Sequence, residues 1–283
     1  RQRLFHWFGI HRRWRLVGVS ILGTRVVRVE DPRFLTGKGT YIANLDLPGA
    51  LHLTFVRSSV AHGKIIAIDA DEARSMPGVV AVWTAADIDL EPAPPAHGFM
   101  NKAIRFPFVA VDTVRFVGDI VAVVVSTDKT SGTDAAETVI VDYDFLPVVL
   151  DLDESFRGET LLHPEAESNI VLTFASASND DIFADCEVVV DLVIENQRVA
   201  PVPMEVRSCA SMWDGQRLTQ WACSQGAHGA RDGLADVLGL EKEQVRVITP
   251  DVGGGFGAKS GVYAEEIIVG WAARKLGTPV RWT

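Results

Sequence analysis

The stretch Gly253-Gly254-Gly255-Phe256-Gly257-Ala258-Lys259, preceded by Asp251-Val252, is the part of this sequence best suited to hold a ligand. Its glycines carry no Cβ, so their N–H groups can approach a charged or strongly polar group closely. A turn that needs positive φ would draw on the same residues, and the cluster alone does not separate the two. Gly253, Gly255 and Ala258 also satisfy G-x-G-x-x-A between a strand and a helix, the fingerprint of a dinucleotide-binding dehydrogenase. That fingerprint opens a βαβ unit with an acidic residue about twenty positions on, whereas Pro279-Val280-Arg281 stand there. Gly254 to Ser260 imitates a phosphate-binding G-x-x-x-x-G-K-[ST] loop, but its second glycine falls at Gly257 and Ala258 precedes Lys259.

Other side chains are candidates for the same chemistry. Glu205 and Arg207 follow a proline-rich turn and suit a buried ion pair, serving either packing or a ligand. His228 near a helix start and His62 in a turn read as structural histidines. Glu265 and Glu266, one helical turn past the loop, are expected to face partly to solvent. Cys186, Cys209 and Cys223 are widely spaced and suggest neither a thiolate zinc site nor a disulfide framework, which fits a reducing cytoplasm. Cys223 reads as a small buried hydrophobe. A net charge of −10 argues against a nucleic-acid partner and leaves small molecules and other proteins.

The elements that must position these residues are legible as patterns. With 283 residues, 47% of them hydrophobic, two packed domains are expected. Leu51 to Val56, Lys64 to Asp69, Val79 to Trp83, Asp119 to Ser126 and Val139 to Tyr143 have strand composition. Short helices are expected from Asp69 or Asp71 to Met76 and from Thr127 or Asp128 to Thr138. The acidic stretch Asp151-Leu152-Asp153-Glu154 reads as the connection to a second region. There, Cys186 to Glu195, Arg217 to Ala222 and Val245 to Ile248 are expected strands. A helix should start after Ser224 as N-cap and close at Gly239, and another should run from about Tyr263 to Leu276. No apolar run reaches about eighteen residues, so no membrane span is expected. Residues 1–20 hold Arg12-Arg13 ahead of Leu16-Val17-Gly18-Val19-Ser20-Ile21-Leu22, either a segment outside the fold or a twin-arginine export signal.

Several stretches, taken in order, resemble the large subunits of the molybdenum hydroxylases: xanthine dehydrogenase, aldehyde oxidase and aerobic carbon monoxide dehydrogenase. Arg28 to Gly39 resembles the family's opening segment, Arg57-Ser58-Ser59-Val60-Ala61-His62 its R-S-x-x-A-H turn, and Val114 to Asp119 its V-R-[YF]-V-G-[ED] strand. Arg198 to Arg207 is similar to R-x-A-P-x-P-M-E-x-R, Trp221 to His228 to W-x-S-T-Q-x-x-H, and Gly253 to Lys259 to G-G-G-F-G-x-K. Ala258, Val60, Val206 and Cys223 depart from the usual residues, and Ser260 stands where purine-oxidising relatives tend to be acidic.

The resemblance implies an α+β chain, with an α/β hammerhead domain at residues 24–150 followed by the first part of a molybdopterin-binding α/β domain at 160–283. It implies a molybdenum–molybdopterin cofactor, in its cytosine dinucleotide form, held by the pterin dithiolene with no protein metal ligand. Gln225 matches the glutamine near an oxo ligand and serves as the catalytic candidate. Gly254, Gly255, Phe256 and Gly257 match the loop against the metal and pterin, and Arg207 is a further cofactor contact. The implied reaction is hydroxylation of an aldehyde or heteroaromatic carbon, or oxidation of CO, with oxygen from water. Implied partners are an iron–sulfur (2Fe-2S) small subunit, a flavin (FAD) medium subunit and the rest of the large subunit. That remainder carries the second cofactor-binding half and a general-base glutamate. The alternative is a noncatalytic scaffold or remnant.

Overall fold

Every residue of Ile120–Ser126 is buried, and the chain is built outward from that strand. The computed structural model describes residues 22–23, 25–95, 99–174 and 182–283; the expected export-like segment lies outside them, apart from Leu22. Residues 1–40 and 41–283 are separate units. The first contains helix α1 (Asp31–Leu35), with Pro32 in its first turn and Arg28 paired to Asp31 at 2.7 Å.

The second unit runs β1 (Leu51–Arg57), β2 (Gly63–Asp69), α2 (Asp71–Ser75), β3 (Val79–Trp83), β4 (Thr113–Val114), β5 (Ile120–Ser126), α3 (Lys129–Glu137) and β6 (Ile140–Phe145). It continues with α4 (Leu152–Arg157), β7 (Cys209–Trp213), β8 (Leu218–Ala222), α5 (Ala227–Leu238), β9 (Val245–Ile248), α6 (Ala264–Leu276) and β10 (Val280–Trp282). Seven strands form one sheet in the order β3-β5-β1-β10-β7-β8-β9, and β4-β2-β6 form a second. β1 and β10 pair in parallel, Leu51 facing Val280, and this joint brings strands from both halves of the sequence into one sheet.

Local chemistry sets the ends of these elements. Asp128 caps α3 by accepting from Ser131 N at 2.9 Å, and Asp151 caps α4 by accepting from Glu154 N at 2.9 Å. The acidic stretch read as a connection is thus the first turn of a helix. α5 and α6 close on left-handed Gly239 and Gly277, conformations that glycine adopts without a Cβ clash. The expected cap of α5 shifts by two residues: Gly226 is the N-cap, and the Ser224 hydroxyl accepts from its N–H at 3.0 Å.

The core gathers Leu53, Phe55, Val123, Val125, Leu218, Leu234, Ile267, Ile268 and Val280, each side chain contributing roughly 1.5–3 kcal/mol by leaving water. α6 is buried from Glu265 through Ala273, and Trp271 meets Trp83 edge to face at 5.0 Å. One expected element is different. Cys186 to Glu195 forms no strand, because its backbone finds no neighbouring edge to bond among the described residues.

Candidate functional site

The glycine loop leaves β9 through Thr249-Pro250 and enters α6, and two side chains from earlier in the sequence hold it. Glu205 accepts from Gly253 N at 2.8 Å and from Lys259 Nζ at 2.9 Å through the same oxygen, Oε2. Its backbone donates to Gly253 O at 3.2 Å, and its carbonyl accepts from Lys259 Nζ at 2.8 Å. Both ends of the loop are therefore tied to one residue. The Lys259 side chain is 1% exposed, so this ion pair sits where removing one member costs about 3–5 kcal/mol. The other oxygen, Glu205 Oε1, is buried and has no hydrogen-bond partner.

Gln225 holds the middle of the loop. It lies between the end of β8 and the start of α5, where its N–H donates to Lys259 O at 2.8 Å. Its Oε1 accepts from Gly257 N at 2.9 Å and Lys259 N at 3.3 Å. Both partners are donors, so the carboxamide oxygen faces the loop and Nε2 is left to donate to another group. Two glycines are required by close approach: a Cβ on Gly253 would stand 2.5 Å from Glu205 Cβ, and one on Gly255 would strike the Gln225 side chain. Phe256 takes φ 51°, a costly conformation outside glycine, and the residue is 75% exposed.

The N–H groups of Gly254, Gly255 and Phe256 have no hydrogen-bond partner among the described residues. With the Gln225 amide nitrogen they are donors suited to an oxygen-bearing ligand, Phe256 standing exposed and Gly255 buried. No group of three or more His, Cys, Asp or Glu among the described residues could hold an ion, so a metal here would need ligands from its own cofactor. The free loop amides suit the oxygens of such a cofactor. A nicotinamide dinucleotide held by a βαβ unit fits less well, because α6 leads to β10, which pairs with β1 and β7, not with β9. The surface is open: cavities of about 500 and 750 Å³ lie elsewhere, lined by residues such as Phe106, Phe108 and Tyr263, and neither includes Gln225 or Phe256.

The structure thus brings Gln225, Gly254, Gly255, Phe256 and Gly257 together and leaves Arg207 out. Its guanidinium makes two 3.1 Å bonds to Glu265 and lies 4.0 Å from the Tyr263 ring centroid and 5.5 Å from that of Trp282. The expected Glu205–Arg207 pair is not formed; each has another partner. Glu265 and Glu266, expected to be partly solvated, are 4% and 5% exposed. Burial alone would raise the Glu265 carboxyl, but Arg207 and then Arg57, bonded at 2.6 Å, outweigh it and hold its pKa below the ordinary value. Glu266 caps Tyr263 N at 2.9 Å, and burial pushes its carboxyl up to about 7.

His62 is structural, its Nδ1 lying 2.6 Å from Pro147 O. Cys223 is buried, with Ser208 N donating to its sulfur at 3.2 Å. Sequence reasoning missed Lys259 as a buried cation; a lysine inside a glycine loop, with a glutamate in the preceding proline-rich segment, was the available signal.

Comparison with known proteins finds relatives along most of the chain. The aldehyde oxidase and xanthine dehydrogenase a/b hammerhead domain matches residues 36–147, and the molybdopterin cofactor-binding domain matches residues 162–283. The nicotine 6-hydroxylase large subunit of Paenarthrobacter nicotinovorans is 38% identical over 272 residues, covering 93% of this chain and 33% of its own length. The carbon monoxide dehydrogenase large chain of Hydrogenophaga pseudoflava is 36% identical over 287 residues, covering 95% and 35%. Quinoline 2-oxidoreductase from Pseudomonas putida 86 superposes with a TM-score of 0.83 at 37% identity, covering 92% of this chain and 34% of that one. The chain spans about a third of the length of the curated relatives it matches. A hammerhead domain followed by a molybdopterin-binding domain, in one α+β chain, makes it a member of the molybdenum hydroxylase large-subunit family.

Proposed function

We propose that Gln225 and the Gly253–Lys259 loop form one face of a molybdenum–pterin site in a hydroxylase large subunit. The observation that carries this is the Gln225 carboxamide oxygen bound to Gly257 N and Lys259 N, which seats that side chain against the loop, with the N–H groups of Gly254, Gly255 and Phe256 unpartnered among the described residues. When bound, the cofactor supplies a redox-active Lewis acid, with water as the source of the transferred oxygen. The chain's own residues bind and orient. Gln225 donates toward an oxygen of the ligand, the loop amides favour developing negative charge, and the exposed Phe256 ring shields that face from water. Glu205 and Lys259 fix the loop without touching the ligand, and Arg207 orders α6 through Glu265.

The reaction is hydroxylation of a heteroaromatic or aldehyde carbon, or oxidation of CO; relatives named for nicotine and quinoline support the heteroaromatic carbon. The cofactor is the cytosine dinucleotide form, and FAD and 2Fe-2S centres on partner subunits take the electrons onward. Residues 24–150 serve as the hammerhead and 160–283 as the first part of the cofactor domain, in a complex working in the cytoplasm. The alternative reading is a noncatalytic scaffold or remnant; the chain spans about a third of the length of the relatives it matches. Metal and pterin analysis of the complete subunit purified with its partners tests this. About one molybdenum and one pterin dinucleotide per large subunit is expected; a complex purified without either would overturn the reading.

A further inference from the structure

A cavity of about 500 Å³ lies where Arg57 of β1, residues 115–120, residues 162–171 and the start of α6 meet. Its size is that of a small-molecule site. Phe106, Phe108, Phe116 and Tyr263 supply flat apolar walls, and Phe106 and Phe116 are 47% and 57% exposed, so large aromatic surface is left in water. The charged part of the lining is mostly cationic. Arg57 donates to Glu265 at 2.6 Å and to Gly118 O at 3.1 Å, and Arg207 donates to the same carboxylate, so two guanidiniums share one buried acid. Arg115 donates from its side chain to two backbone oxygens, Leu162 O at 2.9 Å and Thr113 O at 3.3 Å, and makes no ion pair among the described residues. Asp119 accepts from Arg115 N at 3.1 Å, and burial raises its carboxyl above the ordinary value. Burial, and then Arg115, hold His163 toward its neutral form. Three arginines therefore face two carboxylates, and at least one positive charge is unmatched on a chain whose net charge is −10.

We infer that this cavity binds an aromatic monocarboxylate of one or two rings, with the rings against the phenylalanines and the carboxylate at the arginines. The walls select the rings, because flat aromatic surfaces stack on one another and leave water together. The unmatched charge selects an acid over an amine, and one carboxylate over two, since a second would stay uncompensated among apolar walls. The planar donor fork of a guanidinium matches a carboxylate in shape as well as in sign. Neither Gln225 nor the glycine loop lines the cavity, so the inference stands apart from the cofactor reading.

The test is isothermal titration of the complete large subunit, in its complex, with naphthoate and with naphthamide, which keeps the rings and lacks the charge. One naphthoate per large subunit is expected, bound at least about tenfold more tightly than naphthamide, the size of one hydrogen bond to a charged group. R115M should weaken naphthoate by about tenfold or more and change naphthamide by under about twofold. F116A should weaken both compounds by about threefold or more, because both lose a ring contact. Absence of binding would overturn the site, and equal affinity for the two compounds would overturn the acid. Naphthoate affinity unchanged in F116A would put the ligand elsewhere, and affinity unchanged in R115M would remove the role of the arginines; either contradicts the inference. Should R115M fail to assemble, the amide comparison and F116A, altered at an exposed position, still decide.

Discussion

β5 and the segment Cys186 to Glu195 are both rich in valine, and only one of them is a strand. Val121, Val123, Val124 and Val125 have no exposed surface, because β1 and β3 flank the strand and α3 and the core cover its faces. Val188, Val190, Leu192 and Ile194 are more than three-quarters exposed. Intrinsic strand preference spans only about 1 kcal/mol, so it cannot by itself order a segment against the entropy of fixing its backbone. The difference between the two regions is the neighbour.

The largest effect follows from breaking the ordered member. V123D places an unpaired charge between Phe55 of β1 and Trp83 of β3, and about 4 kcal/mol or more of stability should be lost. In this chain alone, V190D should change stability by under about 0.5 kcal/mol, since its side chain already meets water. Circular dichroism during heating compares the two directly. An equal loss would contradict the contrast.

The loop anchor comes next. K259M strands the Glu205 carboxylate without its cation and should cost about 3–5 kcal/mol, whereas E205Q together with K259M should recover most of that loss. A double-mutant cycle from denaturant unfolding measures the coupling, and strictly additive effects would show that the pair does not anchor the loop.

A smaller effect is tied to pH. Burial raises the Glu266 pKa from 4.5 to about 7, so the folded state favours its protonated form. The stability this contributes is fully present below about pH 4.5 and is lost as pH rises through about 7. E266Q keeps an acceptor for Tyr263 N and should remove this slope, gaining on the order of 2–3 kcal/mol at pH 8. Parallel stability–pH curves for the two proteins would contradict it.

What the sequence made legible divides along the same line. β3 and β9 fall at their expected bounds, and α3 and α6 within a residue or two, because local caps and periodicity determine them. β7 and β10 were not anticipated: Cys209–Trp213 mixes Ser with apolar residues and Val280–Trp282 is short, and both are strands because β1 and β8 lie beside them. Glu265 read as surface because its partners, Arg57 and Arg207, are 208 and 58 residues away in sequence. Glycine spacing placed the loop, and the motif resemblance placed Gln225. The clamp by Glu205 and Lys259 depends on a contact across 54 residues that no local pattern announces.

The most direct test of the proposed site is the molybdenum content of G255A in the complete subunit, measured beside its melting temperature. The added Cβ would displace the Gln225 side chain from the loop while leaving the Glu205–Lys259 anchor untouched. A loss of molybdenum of about tenfold or more, with melting unchanged within about 3 °C, is the expected result. Full molybdenum occupancy in that variant, with Gln225 displaced, would show that this loop and glutamine are not the cofactor's seat.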